Sequence, residues 1–98
     1  MKTKYQYEVI LRIRKIRERL GISQSKLANI LGISDGQVGN IETPTKPHKY
    51  TLAQIEILCK EFNVPITSIF WCDKENKDNI SIEQLVHKIV LYQETNKN

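Results

Sequence analysis

The stretch Gln24-Ser25-Lys26-Leu27-Ala28-Asn29-Ile30-Leu31-Gly32-Ile33-Ser34-Asp35-Gly36-Gln37-Val38-Gly39-Asn40-Ile41-Glu42 decides how this chain folds. Leu27 and Leu31 stand four apart and Val38 and Ile41 three apart, so each pair lies on one side of a short helix. Ile33 falls between the two pairs and fills the corner. Ala28 is small where two helices must cross closely, and Gly32 stands at the turn, where a residue without Cβ enters the left-handed region at least cost. Ser23 is a good N-cap for the first helix. Ser34 and Gln37 form a capping box for the second, each side chain satisfying the other residue's backbone N–H. The spacing predicts two short helices at a steep angle, with the second, residues 35–42, projecting outward.

Working outward, Val9, Ile13, Ile16 and Leu20 recur at helical spacing from about Tyr7 to Leu20, and Gly21 ends that segment. After Glu42, Thr43 precedes Pro44 and is pushed out of the helical region, so a polar loop runs to Tyr50. Thr51 and Gln54 repeat the capping box and open a fourth helix whose apolar face is Leu52, Ile55, Leu58, Cys59 and Phe62. A short fifth element from Pro65 to Phe70 offers Ile66, Ile69 and Phe70 to the core. Ser81 and Gln84 form another box, and Ile82, Leu85, Val86, Ile89 and Val90 then line one side of a last helix to about Gln93. No alternation of Val, Ile and Thr between turn signals suggests a sheet. The predicted architecture is all-α: a five-helix domain in residues 1–70, a linker at 71–79, and a C-terminal amphipathic helix and tail at 80–98.

At 98 residues the chain has room for one hydrophobic core. No apolar run approaches the ~20 residues that cross a bilayer, and the start lacks the apolar centre of a signal peptide, so a cytoplasmic protein with no membrane partner is expected. Cys59 and Cys72 have no metal-ligand spacing, which predicts reduced thiols, no metal and no cofactor. The net charge of +4 is unevenly placed. Residues 1–20 carry +5, residues 21–50 carry +1 and residues 51–98 carry −2, as expected if the first half faces a polyanion. There is no nucleophile elbow, phosphate loop or paired acid in a defined motif, so an enzyme is not expected.

The segment 24–42 resembles the helix-turn-helix of the phage lambda-type repressor and Cro family, also called the XRE-like regulators. The resemblance extends over about residues 10–70. It includes Arg17 ahead of the Gly21-Ile22-Ser23-Gln24 turn, the Ile41-Glu42 ending, and the trailing Phe62-Asn63-Val64 and Ile69-Phe70. It implies a five-helix lambda-repressor-like DNA-binding domain whose partner is double-stranded DNA. It further implies that Gln24 opens the second helix and touches a phosphate, and that Arg17 and Glu42 pair in the interior. Gly36 and Gly39 depart from the family, where larger polar residues usually stand. Each glycine costs a helix roughly 1 kcal/mol relative to alanine, so either the bare backbone sits deep against the bases or the helix is weakly formed and reads little sequence.

If the third helix enters the major groove by its N-terminal end, the side chains turned away from Val38 and Ile41 meet base edges. These are Asp35, Gly36, Gln37, Gly39 and Asn40. Amides such as Gln37 and Asn40 suit adenine N6 and N7, and Asp35 can accept from cytosine N4. Two competing jobs stay open: Gln37 also serves its capping box, and the Asp35 carboxylate also suits the positive end of a helix. Phosphates are expected at Ser23, Gln24 and Ser25, where N–H groups at a helix start face an anion, and at Lys46, His48, Lys49 and Tyr50 in the following loop. The expected function is a sequence-specific transcriptional regulator acting as a repressor. The other reading is a protein-binding module on the same fold, antitoxin-like with a toxin as partner, or a scaffold. The last helix, through Ile82, Leu85, Val86, Ile89 and Val90, either covers the core, pairs two copies as a homodimer, or docks on another protein.

Overall fold

Six α-helices follow one another in the computed structural model, which describes residues 1–71 and 79–94, and no strand occurs among the described residues. They are α1 Lys4–Arg19, α2 Gln24–Leu31, α3 Asp35–Glu42, α4 Leu52–Phe62, α5 Thr67–Phe70 and α6 Ile82–Gln93. The centre of the expected linker, residues 72–78, including Cys72, and the tail 95–98 lie outside the described residues. No described helix is long and apolar enough to cross a membrane.

The helix starts follow local chemistry. Thr3, Ser34, Thr51 and Ser81 each cap a helix in a reciprocal box with the glutamine three residues on, and Ser23 caps α2 through the Lys26 N–H. The box at Thr3 and Gln6 starts α1 at Lys4, three residues ahead of the start predicted from apolar spacing. The ends share one device. The N–H groups of Ile22, Ile33 and Val64 reach back to the carbonyls of Arg17, Ala28 and Cys59 at 2.9–3.0 Å, over left-handed residues at Gly21, Gly32 and Asn63. This bond pattern closes a helix and delivers the next apolar residue to the core, and Ile22, Ile33 and Val64 all pack there. Leu20, expected in the α1 stripe, lies beyond the last helical turn and is half exposed; Ile10 is buried in the stripe instead.

The core joins all six helices. Val9, Ile10 and Ile13 of α1, Leu27 of α2, Val38 of α3, Ile55 and Leu58 of α4, Ile69 and Phe70 of α5 and Tyr92 of α6 are fully buried. Each such side chain contributes roughly 1.5–3 kcal/mol relative to exposure. Trp71, placed by sequence in the linker, is buried in this core directly after α5. Tyr92 packs edge-to-face on Phe70, centroids 5.8 Å apart, and its hydroxyl donates to the Tyr50 carbonyl at 2.6 Å. Lys88 stands over the rings of Tyr5 and Trp71 at 5.3 and 5.7 Å, holding the same helix from its other flank.

The apolar side of α6 is divided. Leu85 and Ile89 pack against the core, whereas Ile82, Val86 and Val90 stand exposed as a ridge at i, i+4 and i+8. A helix wheel shows a wide apolar face but not which half of it the core takes.

Candidate nucleic-acid interface

Glu42 is the last residue of α3, and its buried carboxylate ties three helices. Arg17 of α1 donates to it from Nε and Nη2, both at 2.9 Å, and Gln24 of α2 donates from Nε2 at 2.9 Å. The remaining Arg17 nitrogen donates to the Ile22 carbonyl in the turn before α2, at 2.8 Å. A two-pronged guanidinium–carboxylate pair fixes direction as well as distance. The result is that α3 and the start of α2 keep one relative orientation. Gln24 commits one of its two side-chain N–H donors to this tie, so at the start of α2 its backbone N–H stands beside the second amide N–H. That backbone N–H and the one on Ser25 have no acceptor within the helix, while Lys26's is taken by Ser23.

On α3, Val38 and Ile41 face inward, and Asp35, Gly36 and Gln37 are exposed, with Gly39 and Asn40 partly so. The Ser34 N–H donates to Gln37 Oε1 at 3.0 Å, which leaves only the amide N–H donors of that residue for an outside partner. Asn40 makes no side-chain hydrogen bond among the described residues. Asp35 lies in the first turn, against the positive end of the helix. A methyl group at Gly36 would meet only Ser34 Oγ, at 3.9 Å, and one at Gly39 nothing within 4 Å. Gly36→Ala and Gly39→Ala are therefore expected to stabilise the free protein by about 0.5–1 kcal/mol each. Denaturant unfolding checks this, and a loss of stability in either would show that the helix is not as open as it stands.

In the loop between α3 and α4, Lys46 and His48 are exposed. Lys49 turns to α6: its ammonium donates to the Tyr92 carbonyl at 3.0 Å and stands 5.3 Å from the ring centroid, and partial burial lowers its pKa. Tyr50 corrects the sequence reading. Expected on a phosphate, it is fully buried, and its hydroxyl has no hydrogen-bond partner among the described residues. Burial pushes its pKa up. The apolar body of the ring outweighs its one polar atom, and sequence gives no means of telling a loop tyrosine that covers the core from one that faces out. Removing a buried unpaired hydroxyl relieves its desolvation cost, so Tyr50→Phe should melt at or above the wild-type temperature and bind DNA as wild type. Reduced affinity for DNA without a loss of stability would restore Tyr50 to the interface.

Ser23, Gln24 and Ser25, the α3 face and Lys46 with His48 are the exposed polar groups of one helix–turn–helix and its following loop. A groove between α3 and the start of α4, about 210 Å³, is lined by Ile33, Gln37, Ile41, His48, Lys49, Thr51 and Gln54.

The sequence profile of a family described as "Helix-turn-helix" matches residues 13–69, from the middle of α1 into α5. The chain is also 31% identical over 65 residues to a Bacillus subtilis (strain 168) protein named "Uncharacterized HTH-type transcriptional regulator YgzD". That match covers 96% of the relative and 66% of this chain, so about a third of this chain has no counterpart there. No solved structure matches the chain significantly.

Proposed function

The chain belongs to the helix-turn-helix family of lambda-type regulators, and on that basis we propose that it binds double-stranded DNA sequence-specifically, as a dimeric transcriptional repressor with α3 in the major groove. The observation that carries the reading is the Arg17–Glu42–Gln24 tie, which presents the exposed N-terminal part of α3 and the free N–H groups of Gln24 and Ser25 in one fixed arrangement. In this reading Asn40 reads a base through its amide, Gln37 donates to a base acceptor, and Asp35 serves the helix start. Gly36 and Gly39 let the α3 backbone approach the bases closely. Ser23, Gln24, Ser25, Lys46 and His48 hold phosphates. Repression by occupying a site needs nothing beyond this interface, and the protein works in the cytoplasm on the nucleoid.

A second copy fits the ridge of Ile82, Val86 and Val90. The spacing is symmetric about Val86, so an antiparallel copy sets Ile82 against the other's Val90, and the same patch serves both partners. Such a dimer presents two recognition helices about 34 Å apart to successive major grooves.

Selection from a random duplex pool, with sequencing of the bound fraction at two salt concentrations, tests the proposal. An enriched palindrome with half-sites one turn apart is expected; salt-sensitive binding with no motif contradicts it and favours a partner-binding module. On the enriched duplex, Lys46→Ala should weaken preferred and random sites alike and shallow the log–log salt slope by about 0.9. Asn40→Ala should leave that slope unchanged and lose roughly 1–3 kcal/mol of preference at one base pair. The reverse pattern would exchange the two assignments.

A further inference from the structure

Lys2 is almost wholly buried, at 8% exposure, although lysine ordinarily keeps its ammonium in water. Its Nζ donates to three backbone carbonyls: Lys46 at 2.6 Å, Thr43 at 2.9 Å and Asn40 at 3.4 Å. No carboxylate lies within ion-pair distance of it among the described residues. Burial lowers its pKa, and the three carbonyls match its three donors. If the chain needed only to fasten its N-terminal residues, an apolar side chain would do so without desolvating a charge.

The three carbonyls identify the task. Asn40 lies in the last turn of α3, where carbonyls run out of helical partners and the helix carries its negative end. The Asn40 carbonyl also accepts from the Thr43 N–H, and the Thr43 carbonyl from the Lys46 N–H, both at 3.2 Å. Lys2 thus grips the consecutive turns that lead from the end of α3 to Lys46. This helix has eight residues, two of them glycine, and so little intrinsic stability. The capping box fixes its start and the Arg17 pair its last residue. The path from there to the exposed loop is fixed by Lys2.

We propose that Lys2 is a positioning residue for DNA recognition, holding the exit of α3 and the Lys46 loop in register so that base-facing and phosphate-facing groups engage together. This rests on the DNA-binding reading, and the test separates the two. Lys2→Met and Lys2→Arg are compared with the full-length wild type, at a temperature where all are folded, by amide hydrogen exchange and by titration with the enriched duplex and a random duplex. In Lys2→Met the Thr43 and Lys46 amides should exchange faster. Affinity for the enriched duplex should fall roughly tenfold with the salt slope unchanged, and Lys2→Arg should restore both. Unchanged exchange overturns the proposal. So does weaker binding with a slope shallower by about one unit, which marks a phosphate contact, or a loss that Lys2→Arg does not recover. If the wild type prefers no duplex, the DNA-binding reading fails, and the exchange of Thr43 and Lys46 alone decides whether Lys2 clamps the turn.

Discussion

Replacing Arg17 by methionine is expected to destabilise the protein by about 3–5 kcal/mol, because the Glu42 carboxylate would stay buried with only the Gln24 amide and the half-exposed Arg14 guanidinium, 3.9 Å away, to meet it. For a domain of this size each kcal/mol moves the melting temperature by roughly 4–8 °C, so a drop of about 12 °C or more should be seen. The loss has two sources: two charge-assisted hydrogen bonds to Glu42 disappear, and the Ile22 carbonyl loses its donor. The companion measurement is the double variant Arg17→Met with Glu42→Leu. Removing both charges relieves the stranded carboxylate, and the double variant should recover most of the lost stability. What it should not recover is DNA binding, since the tie that orients α3 against the start of α2 is gone. A single variant that melts near the wild-type temperature would show the pair to be incidental.

Tyr92→Ala is expected to cost about 3–5 kcal/mol, although the residue lies only three positions before the tail. Its ring is fully buried against Phe70, and its hydroxyl bonds the Tyr50 carbonyl. Its own carbonyl accepts from Gln6 at 2.8 Å and Lys49 at 3.0 Å. Tyr92→Phe removes only the hydroxyl and should cost about 1 kcal/mol. Denaturant unfolding of both variants checks this. If α6 were a detachable appendage, Tyr92→Ala would unfold at the wild-type midpoint; if it belongs to the core, the midpoint falls and the transition stays single.

The local part of the fold was legible in sequence. Capping boxes at Ser34, Thr51 and Ser81, glycine at the turn and apolar pairs at three and four residues each report a short-range physical constraint, and α2, α3, α4 and α6 lie where these signals put them. The box at Thr3 and Gln6 carries the same signal. It escapes a reading anchored on apolar spacing because the stripe begins only at Val9.

Long-range partners were not legible. The carbonyls around Lys2 lie 38–44 residues away, and Gln6 meets the end of α6 across 86 residues, so nothing in either neighbourhood announces the contact. Lys49 and Tyr50 look like neighbouring loop residues of similar purpose. One turns to α6 and the other enters the core, because α6 covers that side of the loop. The Arg17–Glu42 pair, separated by 25 residues, was accessible only through the family resemblance.

The proposed function has α3, the start of α2 and the following loop contact DNA together. Its most direct test is backbone-amide NMR of the labelled protein titrated with the enriched duplex at moderate salt. Shifts are expected to concentrate at Gln24, Ser25, Gly36, Gln37, Gly39, Asn40, Lys46 and His48. Shifts confined to the outer ridge of α6, or spread over the basic surface of α1 with α3 unmoved, would contradict it.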